Sequence, residues 1–245
     1  MPQRVITLAS VLNLRDLGGY RTIDGRTTRW RRLYRSNDLG DLTTSDFELF
    51  RILEIKTIID LRSTGEIDRT GRGLLGETPI RFVDTPILSD ADGNERLDDI
   101  HDEDYLAKRY IHYLDVGSHA LARAIAEIAD LESHPMVFNC FFGKDRTGVL
   151  AALVLSCVGV ERQSVVADYA LTSTRMPLIL EQLRRDVVFR ETIDKTSPHL
   201  LAADAATMSK FLDDLDVHHG GARNWALKAG VSPRQLHSLS DALLE

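Results

Sequence analysis

Short apolar runs alternate along the chain with longer amphipathic stretches. After a turn marked by Gly18 and Gly19, "RRLYRS" at 31–36 predicts a short strand. A helix is predicted to begin in "SDFELFRIL" at 45–53, with Ser45 and Glu48 spaced as a capping box and Thr43 or Thr44 as alternative caps. The β-branched run "KTIIDLR" at 56–62 has the pattern of a strand covered on both faces of a parallel sheet, and "IRFVDTPI" at 80–87 and "PMVFNC" at 135–140 predict two more. From 104 to 131 the pattern turns helical, with a break near Gly117 and Leu121, Ile125 and Ile128 on one stripe. Segment 146–158 is apolar on nearly every side and predicts a central helix. Beyond Glu161 the chain reads as helical. In "VSPRQL", Ser232 is a cap, Pro233 the first helical residue, Gln235 its reciprocal partner, and Val231 is set to pack on Leu236.

Strands alternating with helices, followed by a helical tail, predict an α/β fold with a central, mostly parallel sheet flanked by helices. No repeat, low-complexity stretch or linker divides the sequence, so one domain over 1–245 is expected. A formal net charge of −7 argues against a broad nucleic-acid surface. Cys140 and Cys157 are the two cysteines, which supports neither a disulfide framework nor a cysteine-rich zinc site and suits a reducing cytoplasm. The apolar patch near the start is interrupted by Arg15 and Asp16 without a small-residue cleavage site, and the longest apolar stretch, 149–160, is too short to cross a bilayer.

The chemistry concentrates in "NCFFGKDRTG" at 139–148, between a predicted strand and a predicted helix. A free thiol with a pKa near ~8.5 is only about 3% thiolate at neutral pH, so a catalytic cysteine needs a local positive potential. Residues 141–146 can curl with successive N–H groups inward, Gly143 allowing the turn, while the helix near Arg146 adds its positive end. Such a cradle, made by the backbone of Phe141, Phe142, Gly143 and Lys144, also suits a phosphate dianion, and Arg146 can grip two of its oxygens. Thr147 can donate its hydroxyl to the Cys140 sulfur. Nucleophile and phosphate receptor would then share one loop.

"CFFGKDRTG" resembles the Cys-x5-Arg-Thr signature of the cysteine-dependent protein tyrosine phosphatase superfamily, and most the bacterial tyrosine and dual-specificity branch with a Gly-Lys-Asp-Arg-Thr-Gly loop. "NLRDLGGYRT", "LYRSNDLG", "TIIDLRS", "VVADYAL" and "WALKAGVS" follow in the order of that branch, so the resemblance covers nearly the whole chain. It implies hydrolysis of phosphotyrosine, and of phosphoinositides besides, through a phosphocysteine, without metal or organic cofactor. Cys140 matches the nucleophile, Arg146 the phosphate-binding arginine, Lys144 a lysine associated with polyanionic substrates, and Asp145 an acidic residue proposed as general acid. Asp84 and the acidic residues of 90–104 are alternative acids. Two positions depart from the pattern: Asn139 replaces a histidine, and Phe142 a small residue, so that an inward ring would narrow the pocket. A phosphate-binding module without turnover is the alternative function.

Other signals have simpler readings. Cys157 is expected to fill core. The five arginines at 26–35 either collect anions or solvate a strand and turn. Arg35 and Arg62 stand at predicted strand ends, where α/β sites form, with Asp60 and Asp16 as candidate partners. The eight carboxylates of 90–104 lack the glycine position of a calcium loop, and His218-His219 lacks a metal-ligand set nearby in sequence. Met208, Phe211, Leu212 and Leu215 form a core stripe, and part of the region 176–216 is either a fixed wall or a lid over the pocket.

Overall fold

A computed structural model describes residues 3–90, 102, 104–185 and 187–245. Five strands form one sheet: β1 (Arg15–Asp16), β2 (Leu33–Ser36), β3 (Thr57–Asp60), β4 (Arg81–Asp84) and β5 (Met136–Asn139). Their spatial order is β1-β2-β5-β3-β4, parallel except for the antiparallel pair β1–β2. The α/β expectation therefore holds. β1 adds a strand that two residues are too short to announce by periodicity.

β5 lies in the middle because all four of its residues are buried and both neighbours pair with it. Its side chains alternate between two cores, as strand geometry requires. Met136 and Phe138 face the larger core and Val137 the smaller one. The larger core is covered by α3 (Tyr105–Val116), α4 (Ser118–Ile128), α5 (Asp145–Cys157), α6 (Arg162–Ala170), α10 (Ala205–His219), α11 (Ala222–Lys228) and α12 (Pro233–Leu243). The smaller is closed by α1 (Thr44–Arg51) and the segment carrying Leu8, Val11 and Leu14.

Predicted helices appear with shifted ends. α1 takes Thr43 as its cap, not Ser45: the Thr43 hydroxyl accepts from the Asp46 amide, and Glu48 pairs with Arg51 instead of closing a box. Starting earlier frees the Asp46 carboxylate to bind the amides of Ala9 and Ser10. The box at Ser232 and Gln235 forms as expected, with Val231 and Leu236 both buried. Met208, Phe211, Leu212 and Leu215 are core, whereas α7 (Met176–Leu183), α8 (Val187–Lys195) and α9 (Pro198–Leu201) lie beside the carboxyl ends of the strands. Among the described residues, no helix is long and apolar enough to cross a membrane.

Candidate active site

The three inner parallel strands end together at Ser36, Asn139 and Asp60, which are register partners. The loop 140–144 leaves β5 there and turns directly into α5. Gly143 makes this turn at φ 67°, and a Cβ on it would stand 2.6 Å from the Asn37 nitrogen and the Ser36 oxygen. Conformation and space both demand glycine.

Scaffold donors hold the loop carbonyls. Asn139 O accepts from the Leu61 amide at 2.9 Å and Phe141 O from the Asp38 amide at 3.0 Å. Asn13 Nδ2 donates to Phe142 O at 3.5 Å and to Gly143 O at 3.1 Å, and Arg35 Nη2 reaches Gly143 O at 2.9 Å. In a trans peptide, C=O and N–H point in opposite directions. Fastening the carbonyls of 141, 142 and 143 thus turns the amides of Phe142, Gly143 and Lys144 away from the scaffold. Among the described residues none of these amides has a protein acceptor. Three oriented N–H groups and the positive end of the 13-residue α5 make an anion cradle.

Beneath the loop lies a buried charged cluster. Asp168 of α6 receives Arg15 Nε at 2.9 Å, Arg35 Nη1 at 2.5 Å and the Tyr20 hydroxyl at 3.0 Å. Arg15 also donates to Asn13 Oδ1, so one network sets both carbonyl anchors. Burial opposes the Asp168 charge, but the two guanidiniums overcome it and hold its pKa below the usual carboxylate range. Burial, then Arg15, pulls Arg35 down to about 10, leaving it charged at neutral pH. Arg35 therefore acts under the loop and not on a substrate.

Above the loop is a cavity of 490 Å³ bordered by Cys140, Phe142, Lys144, Asp145 and Arg146 together with Glu66. Phe141, Gly143 and Thr147 sit behind its surface, all buried. Phe142 borders the cavity, and its ring packs edge-on against Phe141, with centroids 5.4 Å apart. Buried Thr147 Oγ1 and Asn139 Oδ1 lack hydrogen-bond partners among the described residues. Lys144 is turned inward: its Nζ donates to Leu200 O at 2.5 Å and Ala202 O at 3.0 Å, fastening the end of α9 to the loop.

Arg146 is held by a residue the sequence reading overlooked. Glu66, in α2 (Thr64–Thr70), takes Arg146 Nη1 at 2.5 Å and Nη2 at 2.7 Å, while Nη1 also contacts Leu61 O at 3.4 Å. Of the five guanidinium N–H groups, the pair on the Nε–Nη2 edge has no partner among the described residues and makes a fork spaced for two phosphate oxygens. Burial disfavours the Arg146 charge, yet the Glu66 hydrogen bonds and the charge at Cys140 outweigh it and raise its pKa above the ordinary value. Glu66 itself is lowered: Arg146 overcomes its burial. Glu66 also accepts from the Ser63 amide in the capping box of α2, and the "STGE" spacing at 63–66 is the signal that could have found it. Glu66→Gln is expected to lower kcat/KM about tenfold to a hundredfold by misplacing the fork. Steady-state kinetics check this, and an unchanged kcat/KM would show that Glu66 does not position it.

Asp145 borders the cavity and accepts from the Tyr110 hydroxyl at 2.6 Å, with Lys144 Nζ 3.3 Å from the same oxygen, Oδ1. Asp84, the alternative, lies outside the cavity lining and pairs with Arg72 at 2.5 Å. Of 90–104, Asp90 borders the cavity and accepts from the Gly65 amide, and Asp102 pairs with Lys108. Residues 91–101 and 103 lie outside the described residues. Arg62 is buried between Asp60 and Asp38, away from the cavity lining, and Asp16 accepts from the amides of Gly18 and Arg31. None of the arginines at 26–35 borders the cavity. Cys157 is buried in α5, which pushes its thiol up to about 12. His218 and His219 occupy the last turn of α10.

Comparison with known proteins places these residues in a wider setting. The model of the tyrosine phosphatase family matches residues 6–245. The chain is similar to the triple specificity protein phosphatase PtpB of Mycobacterium tuberculosis, at 26% identity over 97% of this chain and 98% of that one. It is also similar to a putative tyrosine-protein phosphatase of Cupriavidus necator, at 28% identity over 75% of this chain and 64% of that one. Among solved structures, the core catalytic domain of the PP-IP phosphatase SIW14 from S. cerevisiae aligns at TM-score 0.42 and 18% identity, covering 89% of this chain and 97% of that one.

Proposed function

Since this chain belongs to the tyrosine phosphatase family, and is a phosphatase, we propose that it hydrolyses phosphotyrosine, and phosphoinositides besides, through a phosphocysteine at Cys140. The observation that carries this reading is that Cys140 and Arg146 border the same cavity. The sulfur attacks phosphorus while the loop amides and the open edge of Arg146 hold the equatorial oxygens. In such transfers, positioning and charge stabilisation do most of the work. The ester oxygen leaves with a proton from Asp145. Water then attacks the phosphocysteine, Asp145 takes back a proton, and the thiolate departs. No step calls on a metal. Apolar walls from Phe142, Tyr105, Tyr113 and Leu106 suit an aryl leaving group. The printed name of the M. tuberculosis relative, a triple specificity phosphatase, supports testing more than one phosphorylated class.

The test is acid-quenched turnover in chelator, on phosphotyrosyl peptide, phosphoseryl peptide and soluble phosphatidylinositol phosphate, followed by mass spectrometry. A phosphate on the Cys140 peptide is expected, with the phosphotyrosyl peptide turned over fastest. Turnover that leaves no thiophosphate ester, or that needs an added divalent cation, would overturn the mechanism.

A further inference from the structure

Two buried tyrosines outside the loop are joined to the Asp145 carboxylate. The Tyr110 hydroxyl on α3 donates to Asp145 Oδ1 at 2.6 Å and lies 2.7 Å from the Tyr169 hydroxyl on α6. Both side chains are within 1% of complete burial. Their rings meet edge-on at 6.1 Å, and Tyr110 packs edge-on against Phe211 at 6.0 Å. Burying two phenol groups among apolar side chains is costly unless the hydroxyls find partners, and phenylalanine would fill the same space without that cost. This hydroxyl chain instead ends on a carboxylate facing the cavity. Tyr169 also fixes the helix that bears Asp145: a Cβ on Gly148 would come within 2.9 Å of its ring.

The proton arrangement follows from counting donors. Burial, with Asp145 and Tyr169 beside it, keeps Tyr110 a phenol far above its ordinary range. Its single proton points to Asp145 Oδ1, so its oxygen accepts the proton of Tyr169. The ammonium of Lys144 approaches Oδ1 as well, at 3.3 Å. A phenol donor and an ammonium thus converge on one carboxyl oxygen, leaving Oδ2 as the oxygen to carry the acid's proton.

Resting on the reading of Asp145 as the general acid, we infer that Tyr110, backed by Tyr169, is a positioning residue that saturates Oδ1 and presents Oδ2 to the reacting ester. As the S–P bond forms and the P–O bond breaks, the Oδ2 proton passes to the leaving oxygen, and the new carboxylate is held at Oδ1 by the phenol. In the second step water attacks, the S–P bond breaks, and Oδ2 takes the water proton. The charged and titratable groups around Asp145 are Lys144 and Cys140 in the loop, Arg146 on α5, Arg109, Tyr110 and Tyr113 on α3, Tyr169 on α6, and Glu66 and Arg69 on α2, with Asp90 at the cavity wall.

Tyr110→Phe keeps the ring and removes the donor to Oδ1. Since that donor favours the carboxylate, its loss moves the basic limb of kcat/KM, where the acid loses its proton, upward by about one pH unit. The single-turnover rate of phosphocysteine formation falls about tenfold for phosphotyrosine and changes little for an aryl phosphate whose leaving phenol is far more acidic. Tyr169→Phe moves the limb the same way by less. Should Tyr110→Phe reduce both substrates equally with the limb in place, or change nothing, the tyrosines only pack and the inference falls. Asp145→Asn separates the two levels. Loss of the basic limb in that variant upholds the acid, whereas its persistence removes the acid and the positioning role with it.

Discussion

Cys140→Ser is expected to lower kcat on a phosphotyrosyl peptide by at least about 10⁴-fold, equivalent to roughly 5.5 kcal/mol of barrier. A serine hydroxyl is a far weaker acid than a thiol and stays protonated at neutral pH, whereas the Cys140 sulfur is both more acidic and more nucleophilic and lies close to Arg146. Binding should survive. The groups proposed to grip phosphate are the amides of Phe142, Gly143 and Lys144 and the Nε–Nη2 edge of Arg146, and the exchange alters none of them. Calorimetric affinity for inorganic phosphate is therefore expected to stay within a few-fold, while rapid-quench kinetics show no phosphoenzyme. Activity within tenfold of the parent protein would mean that another group is the nucleophile.

Asp168→Asn is the second large effect, and it reaches the site through stability. The substitution leaves Arg15 and Arg35, both essentially inaccessible, without their shared carboxylate. Removing one partner from a buried ion cluster costs about 3–5 kcal/mol because charge remains buried without compensation. In a chain of 245 residues this lowers Tm by roughly 10 °C. The sign of the pH dependence follows from the depressed native pKa of Asp168. Its contribution is fully present above the unfolded value near ~3.9 and is lost as pH falls through the lower native value. The gap between parent and variant should therefore narrow as pH drops from about 5 towards about 2. Denaturant titrations at pH 7, 5 and 3 measure it, and a gap that widens in acid would contradict the ion cluster. Activity at temperatures where both proteins are folded should also fall, since Arg35 and Asn13 orient the loop carbonyls.

The parts of the site that could be read directly are contiguous. Strand, glycine turn and helix around Cys140 follow one another within about twenty residues, so apolar pattern and residue type were enough to predict β5, the loop and α5. The same holds at Ser232 and Gln235, where a cap and its partner are three residues apart. Even local signals competed at α1. There Asp46 is drawn to the amides of Ala9 and Ser10, a distant contact accompanying the choice of Thr43 as cap.

What escaped was long-range. Glu66 meets Arg146 across 80 positions, Asp168 meets Arg35 across 133, and Tyr110 meets Asp145 across 35. A carboxylate or phenol carries no mark of its partner until packing brings the two together. Asp84, an alternative acid from the sequence, lies on a strand at the sheet edge and faces Arg72 instead of the cavity.

By itself the sequence determined the alternation of strands and helices, the glycine turn and the placing of a thiol six residues before an arginine, because these depend on neighbouring residues and helical or strand periodicity. Tertiary structure alone decided which way the loop amides face, which edge of Arg146 stays open, and which acids stand beside the thiol. Those are properties of groups that folding brings within about 3 Å, and their desolvated electrostatics exist only once the two layers of helices close over the sheet.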